Sequence, residues 1–194
     1  MISPRKRAAA FTLVEVLIGA TLSAIVMVGV LTSFVFLGRS LSRLVNYQNL
    51  EAKSRQAMTV MRTDFGLALS VKSGTTPTAT AVTLTLPSGD VTYTYDSSSQ
   101  SLRRQATFGA NRDYTLLQND TCVCTSFAFS YYTTTNGSPV SQITAGTNVP
   151  FSIKQIQVSY SLDSTGSASP QTRASYDMGS ATFLLRNRWE PDGN

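Results

Sequence analysis

Residues 8–31 read AAAFTLVEVLIGATLSAIVMVGVL, and one acid, Glu15, lies within this otherwise apolar stretch. The 22 residues from Val16 to Leu37 carry no charge. About 20 apolar residues, rising 1.5 Å each in a helix, are enough to span the core of a bilayer. A carboxylate at bilayer depth costs roughly 2.5–3.5 kcal/mol on insertion scales. The stretch therefore predicts a membrane-spanning helix in which Glu15 needs a compensating partner.

The residues before this run set its orientation. Arg5, Lys6 and Arg7 come first, and three alanines separate them from the apolar core. In an ordinary secretory signal the small residues follow the apolar core, so the order here disfavours removal by signal peptidase. The positive-inside rule places the basic residues in the cytoplasm and the chain after the span outside. A plain N-terminal membrane anchor explains these features, but it leaves Glu15 unexplained.

Composition excludes several classes of function. The 194-residue chain has no histidine and two cysteines, which removes His-based catalytic triads and most zinc sites. It also lacks a G-x-x-x-x-G-K-[ST] phosphate loop. We therefore expect neither an enzyme nor a cofactor or metal. Without residues 1–10, 13 basic residues face 11 acidic ones, so no nucleic-acid partner is expected. The only other basic pair, Arg103-Arg104, is interpreted as a solvated strand edge.

Helical periodicity continues beyond the apolar run. No proline occurs from Phe11 to Val71, so one helix of about 60 residues, roughly 90 Å long, is permitted. Its pattern is weakest over residues 46–54, where a bend or fraying is possible, and Lys72-Ser73-Gly74 ends it. Apolar residues recur at spacings of three and four in its second half, which predicts a face packed on a sheet: Leu37, Leu41, Leu44, Ala57, Met58, Met61, Phe65 and Ala68.

From Thr78 the period changes to two. Short alternating segments separated by turns indicate an antiparallel sheet with one solvated face. We expect a loop from Asn136 to about Pro150 and a last strand within residues 172–186. The fold class is therefore α+β, a long N-terminal transmembrane and amphipathic helix packed on a C-terminal antiparallel β-sheet. The inward positions of the predicted strands are Val82, Leu84, Leu86, Val91, Tyr93, Tyr95, Leu102, Phe127, Phe129, Tyr131, Ile156, Val158, Tyr160 and Leu162, with a fourth strand at Tyr114–Gln118.

The segment Ala10-Phe11-Thr12-Leu13-Val14-Glu15-Val16-Leu17-Ile18 resembles the type III signal of the type IV pilin and pseudopilin superfamily. The resemblance implies that a membrane prepilin peptidase cuts between Ala10 and Phe11 and N-methylates the new Phe11 amine. Glu15 then matches the acid at the fifth mature position. The family usually has glycine before the cut. Because alanine is also small, we expect cleavage at Ala10, at a slower rate.

Cleavage supplies a partner for Glu15. The new Phe11 amine is cationic, and Glu15 lies one helical turn further along. In a filament, Glu15 of an incoming subunit can pair with the Phe11 amine of a neighbour, which lowers the cost of both charges in lipid and sets the axial register. In the alternative interpretation Glu15 snorkels to the interface or is neutral.

The strand segments "VTYTYDSSSQSLRRQ", "LLQNDTCVCTSFAFSYYT", "IKQIQVSYSLD" and "ATFLLRNRW" resemble the minor pseudopilin J and PilW-type branch. This implies a minor pilin or pseudopilin, a structural subunit of a type II secretion pseudopilus or type IV pilus, in a tip or initiation complex. Implied partners are other pilin or pseudopilin subunits, prepilin peptidase, inner-membrane lipid and an assembly platform protein. The alternative is an adhesion or DNA-uptake pilin, for which Arg103, Arg104 and Arg112 with Tyr114 are the candidate contacts.

The resemblance also implies a domain order and a location. Residues 1–10 form a basic prepilin leader, 11–38 the transmembrane half of the helix, 39–73 its amphipathic half, and 74–194 an extracytoplasmic β-rich domain. The protein is expected in the inner membrane with a single pass, its leader cytoplasmic and its C-terminal domain periplasmic, before it enters a filament.

The sequence leaves the redox state of Cys122 and Cys124 undecided. The predicted compartment is oxidising, which favours disulfides. Residues i and i+2 of a strand share a face, but their Cα atoms lie near the upper limit for a relaxed bridge. A local disulfide and free or intermolecular thiols are therefore both possible. C-x-C is also half of a metal motif, but no histidine or second cysteine pair completes it.

Overall fold

The structure, a computed structural model, describes residues 12–109, 113–118, 121–133, 141–144, 153–165 and 174–185. Backbone contacts divide the chain into two units, residues 1–42 and 43–194. One helix, α1 (Leu13–Leu67), begins in the first unit and ends in the second. Ala10, Phe11 and Arg112 lie outside the described residues.

The first unit consists, as far as it is described, of the N-terminal part of α1. Its side chains are exposed throughout, including Leu17 at 60% and Phe34 at 65%. A helix that is apolar on all sides and exposed along its length needs an apolar solvent or a partner. Within the described residues, α1 is the helix with the length and apolar composition needed to cross a membrane.

Within the C-terminal unit, α1 is packed against the strands from Leu50 onward. Leu50, Ala57, Met61 and Phe65 are fully buried, at spacings of four and seven. The helix is continuous through residues 46–54, where a bend was considered. Leu41 and Leu44, which the periodicity assigned to the packed face, are instead 62% and 54% exposed. The packed face therefore begins later than the apolar pattern suggests.

The helix ends at Leu67 and not at Ser73 as expected. Ser70–Val71 form a short strand, β1, in which Val71 is fully buried. The flanking amides of Leu69 and Lys72 donate to the carbonyl oxygens of Thr85 and Thr83 at 2.8 and 2.9 Å. An apolar residue that fits a helix period can also fit a strand. Val71 lies in a strand because its segment pairs with a neighbouring strand.

The described part of the C-terminal unit contains two antiparallel sheets, where one was expected. The five-stranded sheet has the order β1-β2-β3-β4-β5 and the four-stranded sheet the order β7-β6-β8-β9. The α+β class is confirmed. The strand β7 lies where a loop was expected. The strands after β1 are β2 (Ala81–Leu86), β3 (Gly89–Asp96), β4 (Ser101–Ala106), β5 (Asp113–Thr115), β6 (Cys122–Thr133), β7 (Ser141–Ile143), β8 (Gln155–Ser164) and β9 (Ser175–Leu184).

One aromatic side chain of α1 contacts both sheets. The ring of Phe65 stacks on Tyr93 of β3 at 5.6 Å and on Phe183 of β9 at 4.9 Å between centroids. It also meets Phe129 of β6 at 6.5 Å. Aromatic pairs at these distances contribute about 0.5–1.5 kcal/mol each beyond the area they bury. Phe65 is thus the centre of a core shared by the helix and the two sheets.

Candidate functional site

The N-terminus of α1 holds Glu15 in a capping box. The amide and the hydroxyl of Thr12 donate to Oε2 of Glu15 at 2.9 and 3.0 Å, and the Glu15 amide donates back to Thr12 Oγ1 at 3.3 Å. The Thr12 carbonyl accepts the first helical bond, from Val16, at 3.2 Å. Thr12 is therefore the N-cap and Glu15 the third helical residue.

The cap partly compensates the charge of Glu15 within its own chain. One carboxylate oxygen, Oε2, is bound within the same chain, so its charge is compensated in part before any neighbour arrives. Among the hydrogen bonds of the described residues, none involves the other oxygen, Oε1. The Thr12 amide belongs to the Phe11–Thr12 peptide bond, so cutting before Phe11 leaves the cap intact.

The cap at Thr12 was not among the predicted sites, although the sequence carries its signal. Threonine followed three residues later by glutamate, directly before an apolar run, is the pattern of a capping box. The superfamily resemblance concerns the charge of Glu15, whereas the cap depends on the local spacing of Thr12 and Glu15.

A second polar site, absent from the sequence analysis, lies where α1 meets β3 and β4. Arg104 Nε donates to Asp64 Oδ2 at 2.6 Å, and Arg104 Nη2 donates to Asp64 Oδ1 at 3.1 Å. The Tyr93 hydroxyl also donates to Asp64 Oδ2. The two charged side chains are 10% and 8% exposed. This is a buried, two-point ion pair between the helix and the five-stranded sheet.

The surroundings change the acid–base properties of this cluster. The hydrogen bond to Asp64 raises the pKa of the Arg104 guanidinium further above its ordinary value. Burial, with the Asp64 carboxylate beside it, raises the pKa of the Tyr93 phenol. The cluster therefore keeps Arg104 charged and Tyr93 protonated over the whole physiological range of pH.

The interpretation of Arg103-Arg104 as a solvated strand edge is correct only in that Arg103 is solvated, because β4 lies between β3 and β5 and Arg104 is buried. Arg103 is exposed and pairs with Asp113 at 2.6 Å. Arg104 is buried, since it shares a strand face with Leu102, two residues earlier, and that face packs on α1. Its alternation with Leu102 was a usable signal in the sequence. As a DNA contact, Arg104 would have to leave Asp64.

The two cysteines lie on β6 as buried thiols. Burial raises the pKa of the Cys124 thiol to about 12, and the neighbouring Cys122 adds to this effect. The register against β8 shifts just after Cys124, between Cys124 and Ser126. The structure thus holds the pair as thiols, and the disulfide between them stays a prediction.

A family described as the prokaryotic N-terminal methylation motif matches residues 5–31. The match confirms the type IV pilin and pseudopilin superfamily that Ala10–Ile18 predicted, and it does not distinguish the J branch. Proteins with this motif are processed by prepilin peptidase, assemble with other pilins and are structural rather than catalytic. The apolar helix fits the single-pass inner-membrane anchor of such proteins. No curated protein and no solved structure matches the chain.

Proposed function

We propose, from the N-terminal methylation motif in residues 5–31, that this chain is a minor pilin or pseudopilin that enters a type IV pilus or a type II secretion pseudopilus. In this proposal prepilin peptidase cuts between Ala10 and Phe11 and methylates the Phe11 amine. The mature chain then waits in the inner membrane, with residues 74–194 in the periplasm, until an assembly platform adds it to a filament.

The geometry of Glu15 supports the assembly step of this proposal. Its carboxylate is exposed at the N-terminal end of an apolar helix, and the Thr12 cap occupies one of its two oxygens. The other oxygen, Oε1, can accept a hydrogen bond from the Phe11 amine of a neighbouring subunit. A hydrogen-bonded ion pair in lipid is far less costly than two separate charges. The pair would hold adjacent helices at one axial register.

The exposed apolar surface of α1 supports the same proposal. From Leu13 to Leu37 its large apolar side chains are 44% or more exposed. Lipid covers such a surface before assembly, and helices of neighbouring subunits can cover it in a filament core. In this proposal the head domain, which is the C-terminal unit of residues 43–194, lies on the outside of the filament. There it contacts other minor subunits.

Two measurements test the proposal. The intact mass of the protein taken from a producing cell should show loss of residues 1–10 and one added methyl group on Phe11. Glu15→Ala should leave the chain cleaved and inserted in the membrane but reduce its recovery in sheared filaments. An uncut chain, or normal recovery of Glu15→Ala in filaments, would overturn the proposal.

A further inference from the structure

A groove of about 720 Å³, with both polar and apolar lining, lies between α1 and the edge of the five-stranded sheet. One wall is the helix and the other is β5, the last described strand of that sheet. The buried guanidinium of Arg104 forms part of the lining, at the point where β4 meets the helix. More of the lining surface is apolar than polar, and its hydrogen-bonding or charged side chains are Gln56, Thr59, Thr63 and Asp64 from α1, Arg104 from β4, and Asp113 and Tyr114 from β5.

The groove is lined by a charged group that is more than nine-tenths buried and still has donors to offer. Nε and Nη2 of Arg104 are bound to Asp64, while none of the hydrogen bonds of the described residues involves Nη1. In the described part of the chain, no fully buried side-chain nitrogen or oxygen lacks a partner. Nη1 is therefore not fully buried, and Arg104 is among the side chains that line the groove. The Tyr114 ring, 5.5 Å from the Arg104 guanidinium carbon, holds the group in place.

The main chain of β5 offers a second set of partners. The Leu116 amide donates to the Leu102 carbonyl at 2.7 Å, and Tyr114 lies opposite Arg104. Hydrogen-bonded pairs alternate along an antiparallel ladder, so the amide and carbonyl groups of Asp113 and Thr115 point away from β4. No described strand lies beyond β5 in this sheet. As far as the described residues show, the outer edge of β5 thus presents two donors and two acceptors.

The charged residues that the structure describes in and beside the groove are paired with one another. Asp64 neutralises Arg104, and Arg103 neutralises Asp113 at 2.6 Å. The hydroxyls of Thr59 and Thr63 donate to helix carbonyls at 2.8 and 3.0 Å, so toward the groove they act as acceptors. Such a lining disfavours an ionic ligand, because an added charge would lose its hydration without gaining an opposite charge. It suits a neutral group that both donates and accepts hydrogen bonds.

We infer that this groove binds an extended segment of a neighbouring filament subunit, which pairs with the outer edge of β5 as an added strand. The residue opposite Tyr114 then points its side chain to the same face as Tyr114, into the groove. An amide or hydroxyl side chain at that position can accept from Arg104 Nη1. Main-chain pairing supplies the affinity and this one side chain the selectivity. The inference rests on the proposed function, since it assumes a subunit within a filament.

The test uses the full chain in the producing cell. A photo-crosslinking amino acid at Gln56 reports what occupies the groove. Thr115→Pro removes one outward amide, and proline is tolerated on an edge strand because that amide does not bond β4. Thr115→Val is the matched control, which keeps the amide and the β-branched side chain.

The expected result is a crosslink from Gln56 to an extended segment of a subunit that carries the N-terminal methylation motif. Its yield should fall by about 2- to 10-fold in Thr115→Pro, as expected for the loss of one main-chain hydrogen bond, and stay unchanged in Thr115→Val. A crosslink within the same chain, a crosslink to lipid, no crosslink, or a yield that Thr115→Pro leaves unchanged would each overturn the inference.

A second pair of variants decides the question if Thr115→Pro does not fold. Thr59→Trp fills the groove from the helix side, whereas Ala52→Trp adds the same bulk at an exposed helix position outside the groove. We expect only Thr59→Trp to lower recovery in sheared filaments, and equal recovery of the two would overturn the inference. If Glu15→Ala is excluded from filaments while Thr59→Trp enters normally, the proposed function stands and this inference alone fails.

Discussion

Asp64 and Arg104, 40 positions apart in the chain, are joined through two hydrogen bonds of 2.6 and 3.1 Å in a nearly dry contact between α1 and β4. The Tyr93 hydroxyl donates a further hydrogen bond to the Asp64 carboxylate. On the other sheet, the hydroxyls of Ser54 and Tyr160 lie 2.7 Å apart. One polar contact to each sheet fixes both the rotation and the axial position of the helix, which apolar packing alone would fix less sharply.

Removing one partner of the buried ion pair should strongly destabilise the head domain. Asp64→Asn keeps the side-chain volume but leaves the Arg104 charge without a counter-ion, and we expect a loss of about 3–5 kcal/mol in the free energy of unfolding. Urea denaturation of the full chain in detergent measures it. Glu51→Gln breaks an exposed pair and is the control, with an expected loss of about 0.3–0.5 kcal/mol. Similar losses in the two variants would contradict the role of burial.

Two substitutions separate the cap from the charge at the N-terminus of α1. Glu15→Gln can still accept hydrogen bonds from Thr12 but carries no charge, whereas Thr12→Val removes the capping hydroxyl and keeps the charge. If the intersubunit ion pair governs assembly, Glu15→Gln should be poorly recovered in filaments. Thr12→Val should enter filaments and lose about 1 kcal/mol of helix stability, seen as faster amide exchange in the first turn. The reverse order of recovery would assign the effect to the cap.

The residue before the cleavage site should control the rate of processing. The family usually has glycine where this chain has Ala10, so Ala10→Gly is expected to speed cleavage by prepilin peptidase. A pulse-chase experiment that follows the loss of residues 1–10 measures the rate. Ala9→Gly, one residue further from the cut, is the matched control. An equal acceleration by both variants would point to leader flexibility rather than fit in the protease subsite.

The head domain should lose stability at alkaline pH. Burial raises the pKa of Tyr160 from 10.0 to about 12, and it raises the pKa of Cys124 from 9.0 to about 12. The folded state then holds these protons more tightly than the unfolded state. Their contribution is complete below pH 9 and is lost as the pH rises from about 9 to 12, by up to about 1.4 kcal/mol per pH unit for each group.

Urea denaturation at a series of pH values measures this loss. In Cys124→Ala the decline should begin about one pH unit later, since the thiol has the lower ordinary value of the two, 9.0 against 10.0. A free energy of unfolding that stays constant between pH 9 and 12 would show that these groups titrate normally in the folded chain.

Thiol alkylation can decide the state of Cys122 and Cys124. Because both side chains are buried, we expect slow modification of the folded chain and rapid modification of both residues after unfolding, without reductant. Resistance of the unfolded monomer until reductant is added would establish the local disulfide. A covalent dimer on a non-reducing gel would instead establish an intermolecular one.

The elements of this fold were largely readable from local patterns. The period of two located the inward residues of β2, β3, β6 and β8, and the period near 3.6 located Ala57, Met61 and Phe65. The predictions that were wrong concern segments whose structure depends on contacts with residues far along the chain. Ser70–Val71 was included in the predicted helix. The segment instead forms a strand, because its flanking amides donate to the carbonyls of Thr83 and Thr85. Leu41 and Leu44 fit the helix period, but their side chains are exposed.

The sequence alone determined the features that act within a few residues of one another. They are the apolar run, the single acid at Glu15, the small residue before Phe11 and the cap that Thr12 supplies, because neighbours along the chain are close whatever the fold. Only the tertiary structure decided that Asp64 meets Arg104 and that the strands divide into two sheets around Phe65. These contacts depend on where a 55-residue helix lies against strands far along the chain, and no local period encodes that position.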